Sequence, residues 1–293
     1  MGLTRRDFMT RAGVGLAGTM LVAGQSRGAD AAPKFRISAC DWSFGVAGDP
    51  AGIEAAKNVG LDGLEVSTGG PADVLPLADP ALRQKYKDNV QKFGVVVSSV
   101  AMGFLNGAPL ASEARGPAWL EQTIDATKDL DAKVILLAFF GKASLLKGRD
   151  ELKTDDVDVV VERLKEAAPK AEKAGVILGL ENTLSAKQNL AILDRVKSDA
   201  VKVYYDIRNS TDGGYDVPAE IRLLGDRLCQ IHFKDGNAYL GEGKVAMAPV
   251  AEALHAINYK GWICLETGVP SKDRDADFRK NAEYTRTLLG VRS

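Results

Sequence analysis

Four side chains carry the chemistry this sequence offers: Glu181, Asp206, His232 and Glu266. Each sits at or near the end of a short run with strand character. VILGLE closes on Glu181, VKVYYD closes on Asp206, RLCQIHFKD holds His232 and GWICLET holds Glu266. Three carboxylates and one imidazole make an oxygen-rich donor set, which suits Mn²⁺, Mg²⁺ or Co²⁺ better than a structural zinc. Carboxylates crowded together repel one another, and a bound cation offsets that repulsion. One divalent metal ion is therefore the expected cofactor. Open positions on such an ion would take two vicinal oxygens of a hydroxyketone and stabilise an enediolate. Glu181 and Glu266 would then face opposite sides of a bound carbon, one removing a proton and the other delivering one.

Taken singly, each residue has a plainer role. A strand-end carboxylate often caps a helix, and a lone histidine is often a hydrogen-bonded core residue. The spacing argues for the shared site. The intervals are 206 − 181 = 25, 232 − 206 = 26 and 266 − 232 = 34 residues. Each is about one strand–helix unit, so each donor is expected from the next strand of a ring, at a similar height. With His232 facing inward, period-2 alternation also turns Gln230 and Lys234 inward and Ile231 and Phe233 outward.

The elements that must position these residues alternate along the chain. Short apolar runs begin at KFRISAC (34–40) and continue through DGLEV (62–66), VVVSSVA (95–101) and KVILLAF (133–139). Helical stretches lie between them. DPALRQKYKDNVQKFG (79–94), for example, opens on an Asp-Pro start and closes on glycine. The longest, 154–175, contains Pro169, which predicts a kink or a break. Between the sixth and seventh strands one short helix is expected over 217–226. The total is eight strands and eight helices, each strand apolar enough to be covered on both faces. The expected fold class is α/β, a closed (β/α)8 barrel with its active site at the C-terminal strand ends. No G-x-G-x-x-G follows the first strand, which argues against a dinucleotide-binding sheet.

The first residues read differently from this core. Arg5-Arg6 precedes a short apolar run and the small-residue site Ala29-Asp30-Ala31. That layout predicts a twin-arginine export signal over 1–31, a barrel domain over 32–293 and a periplasmic destination. The apolar run is too short and too Gly-rich for a permanent span, so no stable membrane association is expected after cleavage. Lys+Arg and Asp+Glu stand at 38 and 39, so no basic field favours nucleic acid. The three cysteines follow no paired spacing and read as small apolar strand residues. A small carbohydrate is the expected partner, and a homo-oligomer is compatible with the chain.

Further substrate contacts are expected from Glu65, which ends the second strand before Gly69-Gly70, and from Lys234, which could steady an oxyanion or a phosphate. Trp42 and Phe44, just after the first strand, could stack on a sugar face. The loops 103–109 and 139–150 are long enough to act as lids. His255 lies mid-helix and reads as a packing or outer-surface residue.

The strand-end set LEN, YYD, IHFKD and CLE, with GEG at 241–243, resembles the xylose isomerase-like TIM-barrel superfamily. Its nearest part is the sugar phosphate isomerase/epimerase branch, with the ketose 3-epimerases, hydroxypyruvate isomerase and inosose dehydratase. The resemblance implies that Glu181, Asp206, His232 and Glu266 bind the metal and that the two glutamates exchange protons at carbon. In the ketose 3-epimerases a histidine three positions after the metal aspartate contacts substrate. That position is Asn209 here, in DIRN, and it is a further expected substrate contact. The implied activity is a metal-dependent sugar isomerase or epimerase. The competing expectations are a dehydratase or lyase acting on keto-sugars or keto-glycosides, and an exported sugar-binding module without activity. An abasic-site endonuclease of the same superfamily needs several histidines for three zinc ions, and this chain has two.

Overall fold

The computed structural model describes residues 35–291. The signal expected over 1–31 lies outside the described residues. Eight parallel strands close into a barrel: β1 (Arg36–Cys40), β2 (Gly63–Ser67), β3 (Val96–Met102), β4 (Val134–Ala138), β5 (Ile177–Glu181), β6 (Val201–Asp206), β7 (Leu228–Phe233) and β8 (Trp262–Leu265). Each strand pairs with its neighbours in sequence, and β8 pairs with β1 to complete the ring. This is the (β/α)8 architecture that the alternation predicts.

The crossovers are α1 (Gly52–Asn58), α2 (Pro80–Phe93), α3 (Gly116–Asp129), α4 (Thr154–Ala174), α5 (Ala186–Val196), α6 (Ile207–Asp212), α7 (Val217–Leu224), α8 (Met247–Ala256) and α9 (Arg274–Leu288). Their ends follow local chemistry. Asp79 accepts from the Ala81 amide at the start of α2, and Gly94 ends that helix in the left-handed region at φ 73°. Ser185 and Gln188 form a reciprocal capping box on α5. None of the described helices is long and apolar enough to cross a membrane.

Three details differ from expectation. First, α4 runs unbroken through Pro169. Pro169 and Lys165, whose carbonyl loses its helical donor, both lie on the exposed side, where water can take up the freed carbonyl. Second, two short helices replace the single one expected between β6 and β7, because Asp206 starts α6 directly off the strand. Third, the loop after β4 contains a small antiparallel hairpin, Leu146–Lys147 with Glu151–Leu152.

Two register shifts set the barrel interior. Leu64 pairs with Val97 but Glu65 with Ser99, leaving Ser98 as an extra residue on β3. Val203 pairs with Leu228 but Tyr204 with Gln230, leaving Cys229 as an extra residue on β7. Bulges of this kind re-aim side chains beside functional sites. Here they place Ser99 opposite Glu65 and Gln230 opposite Tyr204, at one level of the lumen. Ile231 and Phe233 pack into the layer between strands and helices, as parity requires. Cys40, Cys229 and Cys264 are free thiols, all buried.

Candidate metal and proton-transfer site

The barrel brings the four strand-end residues together. One donor atom from each of Glu181, Asp206, His232 and Glu266 lies within 4.8 Å of the others. Register explains the convergence: Asp206 is the pairing partner of His232 across β6 and β7, and the amide of Glu266 continues the ladder by donating to the Phe233 carbonyl at 3.0 Å. His232 Nδ1 stands 2.9 Å from Glu181 Oε1 and 3.6 Å from Glu266 Oε2. The Asp206 carboxylate is divided in its duties. Oδ1 accepts from the Arg208 and Asn209 amides at 2.7 and 2.8 Å and caps α6. Oδ2 is buried with no hydrogen-bond partner. The Lys234 ammonium, Nζ, lies 3.7 Å away, beyond hydrogen-bond reach. A buried carboxylate oxygen left unsatisfied is costly. Its position beside an imidazole nitrogen and two further carboxylates fits a small, hard divalent cation.

The electrostatics follow from this crowding. Burial pushes the Glu181 carboxyl up to about 7, against the pull of the neighbouring His232. Burial likewise raises Asp206 to about 6, partly offset by Lys234 and His232. Burial would raise Glu266 as well, but His232 and Lys234 outweigh it and hold this carboxyl below the ordinary range. Desolvation opposes a charged imidazole, yet the carboxylates of Glu181 and Glu65 hold His232 well above its usual range.

Glu65 does not reach the cavity. It is fully buried beneath the site, with Oε1 2.9 Å from His232 Nε2. Its Oε2 accepts from Ser99 Oγ at 2.6 Å and Tyr204 Oη at 2.9 Å. Gln230 Nε2 donates to both of those hydroxyls at 2.8 Å. The substrate contact expected of Glu65 is thus corrected. β2 continues to Ser67, so Glu65 lies one inward-facing position below the rim. Alternation from His232 turns Gln230 inward as expected, but neither it nor Ser99 and Tyr204 were given a role from the sequence, because the network that joins them to Glu65 crosses four strands.

Above the four residues opens a cavity of about 680 Å³. Glu181, Glu266, Lys234, Asn209 and Trp42 reach its wall. Trp42 Nε1 donates to Glu266 Oε1 at 3.1 Å, and Lys234 Nζ donates to Glu266 Oε2 at 2.9 Å, so both oxygens of that carboxylate are oriented. Phe44 is turned away, stacked on Phe278 at 4.2 Å in the core. The loop carrying Trp42 is fixed by Asp41, which accepts from the Gly48 and Ser67 amides and from Ser67 Oγ. Phe104 and Asn106 from one long loop and Phe140 from the other also line the cavity. His255 is exposed and meets the edge of Phe35 on the outside of the barrel.

Comparison with known proteins agrees with this architecture. A relative from Actinoplanes sp., 2-epi-5-epi-valiolone 7-phosphate 2-epimerase, is 24% identical over 232 residues, 75% of this chain and 82% of its own. A crystal structure of D-psicose 3-epimerase in the presence of D-fructose superposes with a TM-score of 0.70 at 22% identity, covering 87% of this chain and 100% of that one. A xylose isomerase-like TIM barrel protein from Mycobacterium smegmatis, solved in complex with magnesium, gives a TM-score of 0.68 at 19% identity, covering 87% of this chain and 96% of that one. The family described as xylose isomerase-like TIM barrel matches residues 53–288, most of the described chain, and the protein belongs to that family.

Proposed function

We propose that the protein is a divalent-metal-dependent sugar isomerase or epimerase that works by proton transfer at the carbon next to a carbonyl. The observation that carries this reading is the meeting of Glu181, Asp206, His232 and Glu266 around a buried, unsatisfied Asp206 oxygen at the floor of an open cavity. The epimerase activity named for the Actinoplanes relative and the magnesium in the Mycobacterium structure support it. The metal would be held by those four residues and would supply positive charge to polarise the substrate carbonyl and offset a developing oxyanion.

The rest belongs to the chain's own side chains. Glu266 is kept ionised by His232 and by the Lys234 and Trp42 donors and is suited to take a proton from carbon. The carbon's electron pair shifts to the carbonyl oxygen, giving an enediolate. Glu181 delivers a proton to the opposite face, which inverts that carbon. Return of the proton by the same carboxylate to the neighbouring carbon, with the hydroxyl proton passing from one enediolate oxygen to the other, interconverts aldose and ketose instead. Lys234 and Asn209, on the cavity wall, would orient the sugar oxygens.

The test is solvent exchange. Metal-loaded protein is incubated in D₂O with a panel of sugars and keto-glycosides. Deuterium entering a carbon-bound position without bond cleavage is the expected result. Release of water or of an aglycone as the sole reaction would replace this reading with elimination.

A further inference from the structure

We propose a second metal site beneath the first: Cys40, Glu65, His232 and Cys264 form a closed, sulfur-bearing cage for one zinc ion. Cys40 and Cys264 lie 224 residues apart in the chain, and no spacing motif joins them. Closure of the ring does. β8 pairs with β1, and the two thiols meet in the lumen beside Glu65 of β2 and His232 of β7.

One donor atom from each of the four lies within 4.8 Å of the others. Cys40 Sγ stands 3.6 Å from Cys264 Sγ, 3.3 Å from His232 Nε2 and 3.5 Å from Glu65 Oε1. Glu65 Oε1 is 3.9 Å from Cys264 Sγ and 2.9 Å from His232 Nε2. Tetrahedral zinc with ordinary bond lengths holds sulfur, nitrogen and oxygen donors about 3.4–3.8 Å apart. These edges all fall within about 0.5 Å of that range, so small side-chain adjustments complete the cage. The donor types select the ion. Thiolate sulfur favours zinc over the Mn²⁺ or Mg²⁺ that suit the carboxylates above. All four side chains are buried, and none of them lines the cavity. Four protein donors with no position open to substrate are the arrangement of a structural zinc rather than a catalytic one.

Glu65 is oriented for this role from behind. Its Oε2 accepts from Ser99 and Tyr204, both anchored by Gln230, which leaves Oε1 to face the thiols. Outer hydrogen bonds of this kind fix a metal-binding carboxylate. His232 serves both sites: Nδ1 faces Glu181 and Glu266 above, and Nε2 faces Cys40 and Glu65 below. Zinc entry releases two thiol protons and the Nε2 proton to solvent. The ring then lies as an imidazolate between the upper and lower ions. In the stripped protein the contact between Nε2 and Glu65 holds the ring in the same orientation. The lower ion ties together β7, β8, β1 and β2, the strands on either side of ring closure. Its presence does not depend on which reaction the upper site performs.

The experiment uses the full chain, stripped with a chelator under a thiol-free reductant, saturated with Mn²⁺ and then given one equivalent of Zn²⁺. Zinc-edge X-ray absorption is expected to show two sulfur neighbours at about 2.3 Å. Zinc held through oxygen and nitrogen alone, or no zinc retained after gel filtration, overturns the proposal. Co²⁺ in place of zinc gives a second readout, because thiolate ligation adds a strong near-ultraviolet charge-transfer band that carboxylates and imidazole do not. That band should be lost in Cys40→Ala and in Cys264→Ala and kept in Cys229→Ala, whose thiol lies outside the cage. A band that survives in either of the first two variants contradicts the assignment. The wild-type absorption data decide the matter even where a variant fails to fold.

Discussion

His232 Nε2 lies 2.9 Å from Glu65 Oε1, and this contact fixes which nitrogen faces the other three donors. With Nε2 engaged below, Nδ1 points to Glu181 and Glu266. A partner on the far nitrogen sets the tautomer and ring orientation of a metal-binding imidazole. Glu65 in turn is held by Ser99 and Tyr204, and both hydroxyls are held by Gln230. Replacing Glu65 with Ala should weaken Mn²⁺ binding by about 10–100-fold while the far-UV spectrum is retained. Glu65→Gln, which keeps an acceptor for the Nε2–H, should recover part of the loss. Titration calorimetry on stripped protein measures both; equal affinities in wild type and Glu65→Ala would remove the positioning role.

The two glutamates carry different expectations. At saturating metal, Glu181→Gln and Glu266→Gln should each lower kcat for solvent exchange by about 10²–10⁴-fold, the range for a lost general acid or base. Trp42→Phe, which deletes the donor to Glu266 Oε1 and trims the ring on the cavity wall, should have a smaller effect on kcat and spare metal binding. Initial rates with enough metal to saturate each variant separate proton transfer from ligation. Full activity in either Gln variant would remove that residue from the reaction.

Crowded carboxylates also predict a pH signature. Glu181 rises from 4.5 to about 7 and Asp206 from 3.8 to about 6 in the folded, metal-free state. Groups whose folded pKa is raised bind more protons when folded. Their stabilisation is complete below the unfolded values and is lost as pH rises through the folded ones. Stripped wild type should therefore lose stability relative to stripped Glu181→Gln between about pH 5 and 8. Stabilisation by added metal should grow across the same window, because the donors must shed protons to bind. Urea midpoints with and without metal at several pH values give the comparison, and a pH-independent gap between the two proteins would contradict the burial argument.

Gly179 is inward-facing, two residues before Glu181, and a side chain there would be tightly confined. A Cβ would stand 3.0 Å from Cys229 Sγ, 3.1 Å from Tyr204 Cβ and 3.2 Å from the Ile135 carbonyl oxygen. Gly179→Ala should cost about 1–3 kcal/mol by overpacking. Gly70→Ala, with open space around its Cβ, should be close to neutral. Paired urea melts test both, and a silent Gly179→Ala would mean that the lumen is looser than its contacts indicate.

The barrel was legible in the sequence because each strand is a short apolar run between capped helices, and that pattern survives local irregularity. The meeting of Glu181, Asp206, His232 and Glu266 was legible for a related reason: each sits at the end of its strand, where a one-residue slip lower down no longer matters. Glu65 looked alike on paper, yet β2 extends past it and the side chain drops below the rim. Gln230 was legible as inward-facing, but its partnership with Ser99, Tyr204 and Glu65 was not, because the extra residues Ser98 and Cys229 set which rungs of different strands share a level. Pro169 failed to break α4 because exposure, which spacing does not report, lets water satisfy the freed carbonyl.

Anomalous diffraction from crystals of the Mn²⁺-loaded protein bears most directly on the account. The predicted result is one manganese peak per chain, about 2.0–2.3 Å from a carboxylate oxygen of Glu181, Asp206 and Glu266 and from His232 Nδ1. No peak at saturating metal, or a peak away from these four side chains, would contradict it.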